Sequence, residues 1–218
     1  MLARGGRPVR VHLVHGIMDP VGKSGLLKLA PFLQLAGFDV RVPDYGLITA
    51  CETRIANPLI WRTLRPYVEP GDLYVGHSNG CALGYDLITQ GGFRPAGVVF
   101  INAALERHIE LPAGTWADVY YNGGDDATIA AVAAARLGLS DSVWGEMGHA
   151  GYDGPNPLVT NIDAGKSSPA KAVLLDTQDL PACSGHSAIF EPGRIEKWGP
   201  YIVGRIKARL AAVAPRTV

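Results

Sequence analysis

Short runs of β-branched and other apolar residues alternate along this chain with longer stretches of helical spacing. That alternation constrains the fold more than any other feature. Residues 9–15 (VRVHLVH) read as a strand ending at Gly16, and residues 26–36 as a helix stopped by Gly37. A short strand is expected at 39–42, a helix at 58–68 limited by Pro66, a strand at 73–76 and a helix at 81–89. The continuous apolar run GVVFIN at 97–102 predicts a buried strand. Further strands are expected at 117–121 and 172–175, an alanine-rich helix at 127–137 closed by Gly138, and an amphipathic helix at 195–213. Strands alternating with helices make βαβ units, so the expected class is α/β: a mostly parallel central sheet with helices on both faces. No linker or repeat divides the 218 residues, and one domain over 1–218 is expected. Residues 140–169, rich in Gly, Pro and Asn, are irregular; a loop of that length marks a functional segment or an element the pattern hides.

Composition supports a packed core, with 47% hydrophobic and 18% charged residues. Twenty Lys and Arg balance twenty Asp and Glu, which argues against a nucleic-acid binder or a polybasic membrane-surface protein. Cys51, Cys81 and Cys183 are too few and too scattered for a disulfide framework or a paired-cysteine metal site. No apolar run approaches the roughly 20 residues of a membrane span. The basic start MLARGGRPVR has no apolar signal core behind it, so a cytoplasmic protein is expected.

The sharpest local signal is Gly76-His77-Ser78-Asn79-Gly80, a G-x-S-x-G pattern between a strand and a helix. A serine on so tight a turn needs small residues two positions away on each side, and the strain lifts its hydroxyl above the sheet edge. The Asn79 N–H at the helix start then faces a developing oxyanion. A second donor is expected from the turn His15-Gly16-Ile17, most naturally the Ile17 N–H. His77 is expected to point away from the Ser78 side. A Gly-rich turn with an idle serine is the bland alternative.

With these segments in view, the chain resembles the α/β-hydrolase family along nearly its whole length. VHLVHG is similar to that family's oxyanion region and PFLQLAGFDVRVPDYG to the helix, strand and Pro-Asp segment that follows. GHSNG matches the serine turn, and SGHSAIFEPGRIEKWGPYIVGRIKARL resembles the terminal histidine loop and closing helix. The resemblance implies a Ser…Asp…His triad in that chain order, no cofactor and no metal, and a small esterase- or lipase-like member with little or no cap. It implies Ser78 as nucleophile and His186 as base, with His149 as the rival base. After the strand at 117–121, Asp126 is favoured as the acid by the family's spacing; Asp125 fits a shorter variant or caps the next helix. Trp144 and His149 lie between the acid and base segments and are expected to line the substrate site, unless Trp144 only anchors its loop. The implied substrate is a small carboxylic ester.

Three other readings are weaker. Residues 16–24 nearly spell a phosphate loop, but carry one residue too many between the glycines, and Pro20 removes an N–H from the cradle. A hydrolase fold kept only for binding is the second class. A zinc hydrolase built on His149, Asp153 and Asp163 has no supporting ligand spacing.

Overall fold

The computed structural model describes residues 3–4, 7–17, 24–46, 49, 52–138, 143–166 and 175–213. Strands β1 (Ala3–Arg4) and β2 (Arg7–Pro8) form a two-residue antiparallel ladder at the start. The main sheet is built from β3 (Arg10–Val14), β4 (Asp39–Arg41), β5 (Leu73–His77), β6 (Gly97–Ile101), β7 (Trp116–Tyr121) and β8 (Val159–Asp163). Its order is β4-β3-β5-β6-β7-β8, and every neighbouring pair is parallel. The helices are α1 (Ala30–Leu35), α2 (Thr53–Leu64), α3 (Asn79–Thr89), α4 (Asp126–Arg136), α5 (Met147–Ala150) and α6 (Ile195–Val213).

Parallel strands need crossovers, and the helices of those crossovers cover both faces of the sheet. The strand alternation shows it residue by residue. Val98 and Phe100 of β6 join the core that holds α2 and α3, with Trp61, Leu83 and Leu87. Val99 and Ile101 face the other way, into the core that holds α1 and α6, with Leu33, Trp198 and Ile202. Strands β5, β6 and β7 are buried along their full length, which is why their sequences read as largely apolar runs rather than alternating ones, interrupted only by His77 and Asp118. An ion-pair cluster fastens α6: Arg205 and Arg209 both reach the buried Asp118 of β7, at 2.9 Å each, and Arg209 also donates to Thr160.

The sheet is completed by β8, inside the stretch 140–169 that looked irregular. β8 is an edge strand with three half-exposed residues, so its sequence VTNID lacks the apolar run of the central strands. The strand expected at 172–175 falls mostly outside the described residues, and Leu175 opens a 3₁₀ turn. Helix α2 starts before Pro58 instead of at it and ends at Leu64, with Pro66 in a following 3₁₀ turn. Cys81 and Cys183 are buried free thiols, while Cys51 and residues 18–23 lie outside the described residues. Among the described residues no helix is long and apolar enough to cross a membrane.

Candidate active site

In a parallel α/β sheet, functional groups gather beyond the carboxyl ends of the strands, where the loops to the helices start. Four strand ends contribute here. β5 delivers Ser78, β3 delivers Gly16 and Ile17, β6 delivers Asn102, and β7 delivers Asn122 and Asp125.

Ser78 has φ 56° and ψ −127°, a conformation that L-residues avoid at a cost of roughly 1–3 kcal/mol. Three backbone bonds hold it there: its N–H donates to Ile101 O at 3.1 Å, and its carbonyl accepts from Cys81 at 3.0 Å and Ala104 at 3.2 Å. The flanking glycines are sterically required. A Cβ on Gly80 would stand 2.1 Å from the Val14 carbonyl oxygen, and one on Gly76 would stand 2.9 Å from the Cys81 nitrogen. The bend therefore packs directly against the end of β3. Gly16 presses on the serine itself, since a Cβ there would lie 2.7 Å from Ser78 Cβ and 3.1 Å from its Oγ.

Ile17 follows in the turn, half-buried against the α2–α3 core. Asn79 is the first residue of α3, where a backbone N–H has no intrahelical acceptor. Its side chain faces inward, fully buried, in a reciprocal amide pair with Asn57 at 2.9 and 3.0 Å. Asn79 Oδ1 also accepts the indole N–H of Trp144 at 2.8 Å. Trp144 is thus a core residue whose polar handle is spent behind the turn; it also borders a cavity of about 460 Å³ with Arg107, Arg136 and Glu146. A larger cavity of about 610 Å³ is bordered by Arg10, His12, Arg41 and Tyr67, and Ser78 does not line it.

His186 sits in the loop before α6, with Nδ1 2.8 Å from Asp125 Oδ1. Asp125 is fully buried; its other oxygen accepts the Asn102 amide at 2.8 Å, and Oδ1 also accepts the Thr128 N–H at 3.3 Å, capping α4. Burial pushes this carboxyl up, but the bonds from His186, Asn102 and Thr128 outweigh it and hold the group below its usual value. An ionised Asp125 only accepts, so His186 Nδ1 carries the proton, and in the neutral imidazole this tautomer leaves the lone pair on Nε2. The residue that meets His186 is Asp125 and not the favoured Asp126, which is exposed in the first turn of α4.

The histidine loop is clamped from two sides. Asn122 Oδ1 accepts the Gly185 N–H and Asn122 Nδ2 donates to the Gly185 carbonyl, both at 3.2 Å. His77 Nε2 donates to the His186 carbonyl at 3.0 Å, and the two imidazole rings stand 4.8 Å apart. Sequence reading missed Asn102 and Asn122. The available signal for Asn102 was an asparagine at the end of a buried strand, a residue that tolerates its observed φ of 46°.

His149 is not brought to Asp125. It lies half-buried in α5, whose Gly148 is wedged so tightly that a Cβ would come 2.7 Å from Asp125 Oδ2 and 2.6 Å from the Asn102 backbone. Its Nδ1 is buried without a hydrogen-bond partner among the described residues. Among those residues no group of His, Cys, Asp and Glu is arranged to hold a metal ion.

No family model matches the chain, and no curated protein matches it by sequence. Solved structures do. Alpha/beta hydrolase domain-containing protein 10 from mouse is similar over 91% of this chain and 90% of its own, with a TM-score of 0.60 and 11% identity. The esterase domain of a Rhodothermus marinus protein is similar over 93% and 86%, with a TM-score of 0.51 and 12% identity. A structure of the metagenome-derived lipolytic enzymes LipS and LipT is similar over 94% of both chains, with a TM-score of 0.50 and 14% identity. At such identities the likeness is one of fold.

Proposed function

We propose that this chain, which has the α/β-hydrolase fold, is a serine hydrolase that cleaves small carboxylic esters through an acyl-enzyme. The observations that carry the reading are Ser78, held at positive φ on the strand-to-helix bend, and the pair His186–Asp125, whose loop is bonded to the residue before the serine, His77. A serine hydroxyl is a poor nucleophile until a base takes its proton. Neutral His186, its proton fixed on Nδ1 by Asp125, offers Nε2 as that base.

In the proposed cycle Ser78 Oγ attacks the acyl carbonyl while His186 Nε2 accepts the hydroxyl proton. The backbone N–H groups of Ile17 and Asn79 take the oxyanion, each worth roughly 3 kcal/mol of transition-state stabilisation. Collapse expels the alcohol, which receives the proton from His186. Water then attacks the acyl-enzyme with the same imidazole as base, and Ser78 is regenerated. Asp125 stabilises the imidazolium in both steps and does not itself take the proton. His149 and Trp144 are the substrate-side candidates.

Ester is preferred as the substrate class because two of the similar structures are an esterase domain and lipolytic enzymes. The test is reaction with a fluorophosphonate probe together with turnover of p-nitrophenyl esters of increasing chain length. Labelling at Ser78, with turnover lost in Ser78→Ala at unchanged thermal stability, is the expected result. A folded wild-type protein that neither labels nor turns over any ester overturns the reading and favours a fold retained for binding.

A further inference from the structure

We propose that His77 is a positioning residue for His186: it ties the backbone of the base to the residue that precedes the nucleophile, so that hydroxyl and imidazole are held as one unit. The inference rests on the serine-hydrolase reading and assigns a role to a side chain which that reading leaves idle.

The geometry is specific. A backbone carbonyl only accepts, so the 3.0 Å contact from His77 Nε2 to His186 O requires the proton on Nε2. Nδ1 is then bare, and it is buried with no hydrogen-bond partner among the described residues. The ring is sandwiched between His186, at 4.8 Å and 39°, and the edge of Phe190, at 5.1 Å and 90°. Burial, with the neighbouring His186 adding to it, pushes its titration down to about 3. The group facing the base is therefore neutral throughout the working range, and it does not repel the imidazolium that forms on His186 during turnover. A lysine or a charged histidine at this position would.

Three side chains thus fix the base: Asp125 sets its ring, Asn122 its preceding residue and His77 its own carbonyl. Only the last connects to the chain segment carrying Ser78. Losing it leaves substrate binding intact and loosens the attack geometry, a misplacement that costs roughly 10- to 100-fold in rate.

The experiment compares His77→Phe, which keeps a ring and loses the donor, with His77→Gln, which restores an N–H donor. Expected for His77→Phe is a kcat and a fluorophosphonate labelling rate at least about 10-fold below wild type, with KM within about twofold. The low-field proton resonance of the His186–Asp125 hydrogen bond should broaden or disappear. His77→Gln should recover a substantial part of both the rate and the resonance. Wild-type rate and resonance in His77→Phe overturn the proposal and leave the hydrolase reading standing. A wild-type protein that is inert to the probe, yet loses the resonance in His77→Phe, overturns the hydrolase reading and leaves the tether. If His77→Phe does not fold, ¹⁵N NMR of the wild-type ring at neutral pH decides: a proton on Nε2 alone supports the tether, and a proton on Nδ1 overturns it.

Discussion

Asp125 and His186, 61 positions apart in sequence, meet at 2.8 Å, and the carboxylate that meets the imidazole is wholly buried. Its neighbour Asp126, the same residue type one step on, is exposed on the first turn of α4. A single peptide unit separates a group that accepts bonds from a histidine, an asparagine and a helix N-terminus from one that meets solvent.

That contrast yields the first prediction. Asp125→Asn should lower kcat for ester hydrolysis by roughly three to four orders of magnitude, because an amide no longer fixes the imidazole tautomer. Asp126→Asn should stay within about twofold of wild type, as exposed substitutions do. Equal losses in the two variants would reject the pairing; steady-state kinetics with a thermal melt on each protein makes the comparison.

Acid should weaken the fold well before the carboxylates titrate. His77 binds its proton near 6.5 when unfolded but only at about 3 when folded, because burial disfavours the cation. The unfolded state therefore binds more protons between those values, and stability rises with pH across that window. The contribution is complete above about pH 6.5 and drains away toward pH 3, reaching at most about 4–5 kcal/mol. His12, also lowered by burial despite its 2.8 Å bond to Asp72, acts in the same direction. Asp125, held below its usual value, adds a further loss only below about pH 4. Urea unfolding from pH 7 to pH 4 should show the decline, with a shallower slope in His77→Gln; parallel slopes would contradict it.

Two glycines separate catalysis from stability. Gly80→Ala drives a methyl to 2.1 Å from a backbone carbonyl that cannot yield, and should cost about 3 kcal/mol or more. Gly16→Ala instead meets the Ser78 side chain at 2.7 Å. It should slow probe labelling by about 10- to 100-fold with a smaller loss of melting temperature. The reverse ranking of the two variants in labelling and melting would refute this division.

Asp118 anchors the closing helix. Asp118→Ala removes the shared partner of Arg205 and Arg209 and leaves two half-buried guanidinium groups without it. A loss of about 3 kcal/mol is expected, read as a lower urea midpoint with early exchange of α6 amides. Wild-type protection of α6 in that variant would show that the apolar face, with Trp198, Ile202 and Ile206, suffices.

Much of the fold was legible in the chain because burial leaves a local mark. Strand β6 is enclosed on both faces and is apolar throughout; β5 and β7 are enclosed likewise, and their apolar runs are broken only by the terminal His77 and the ion-paired Asp118. The serine bend was legible for a similar reason: Gly76 and Gly80 stand where any Cβ would collide, so sterics write them into the sequence. β8 was not legible, because an edge strand is half-exposed and VTNID satisfies it without a run. That the Trp144 indole N–H is taken by Asn79, 65 positions away, was not legible either, because the pattern around Trp144 fits a substrate-site residue and a loop anchor equally.

The sequence by itself determined the α/β class, the strand-to-helix bend at Ser78 and the terminal loop carrying His186, since each depends on residues close together along the chain. The tertiary structure alone placed Asp125 rather than Asp126 against His186, added the contacts of Asn102 and Asn122, and brought His77 against the His186 loop. The direction of a side chain one residue either way is set by how a turn closes against distant segments, and local pattern carries no information about that closure.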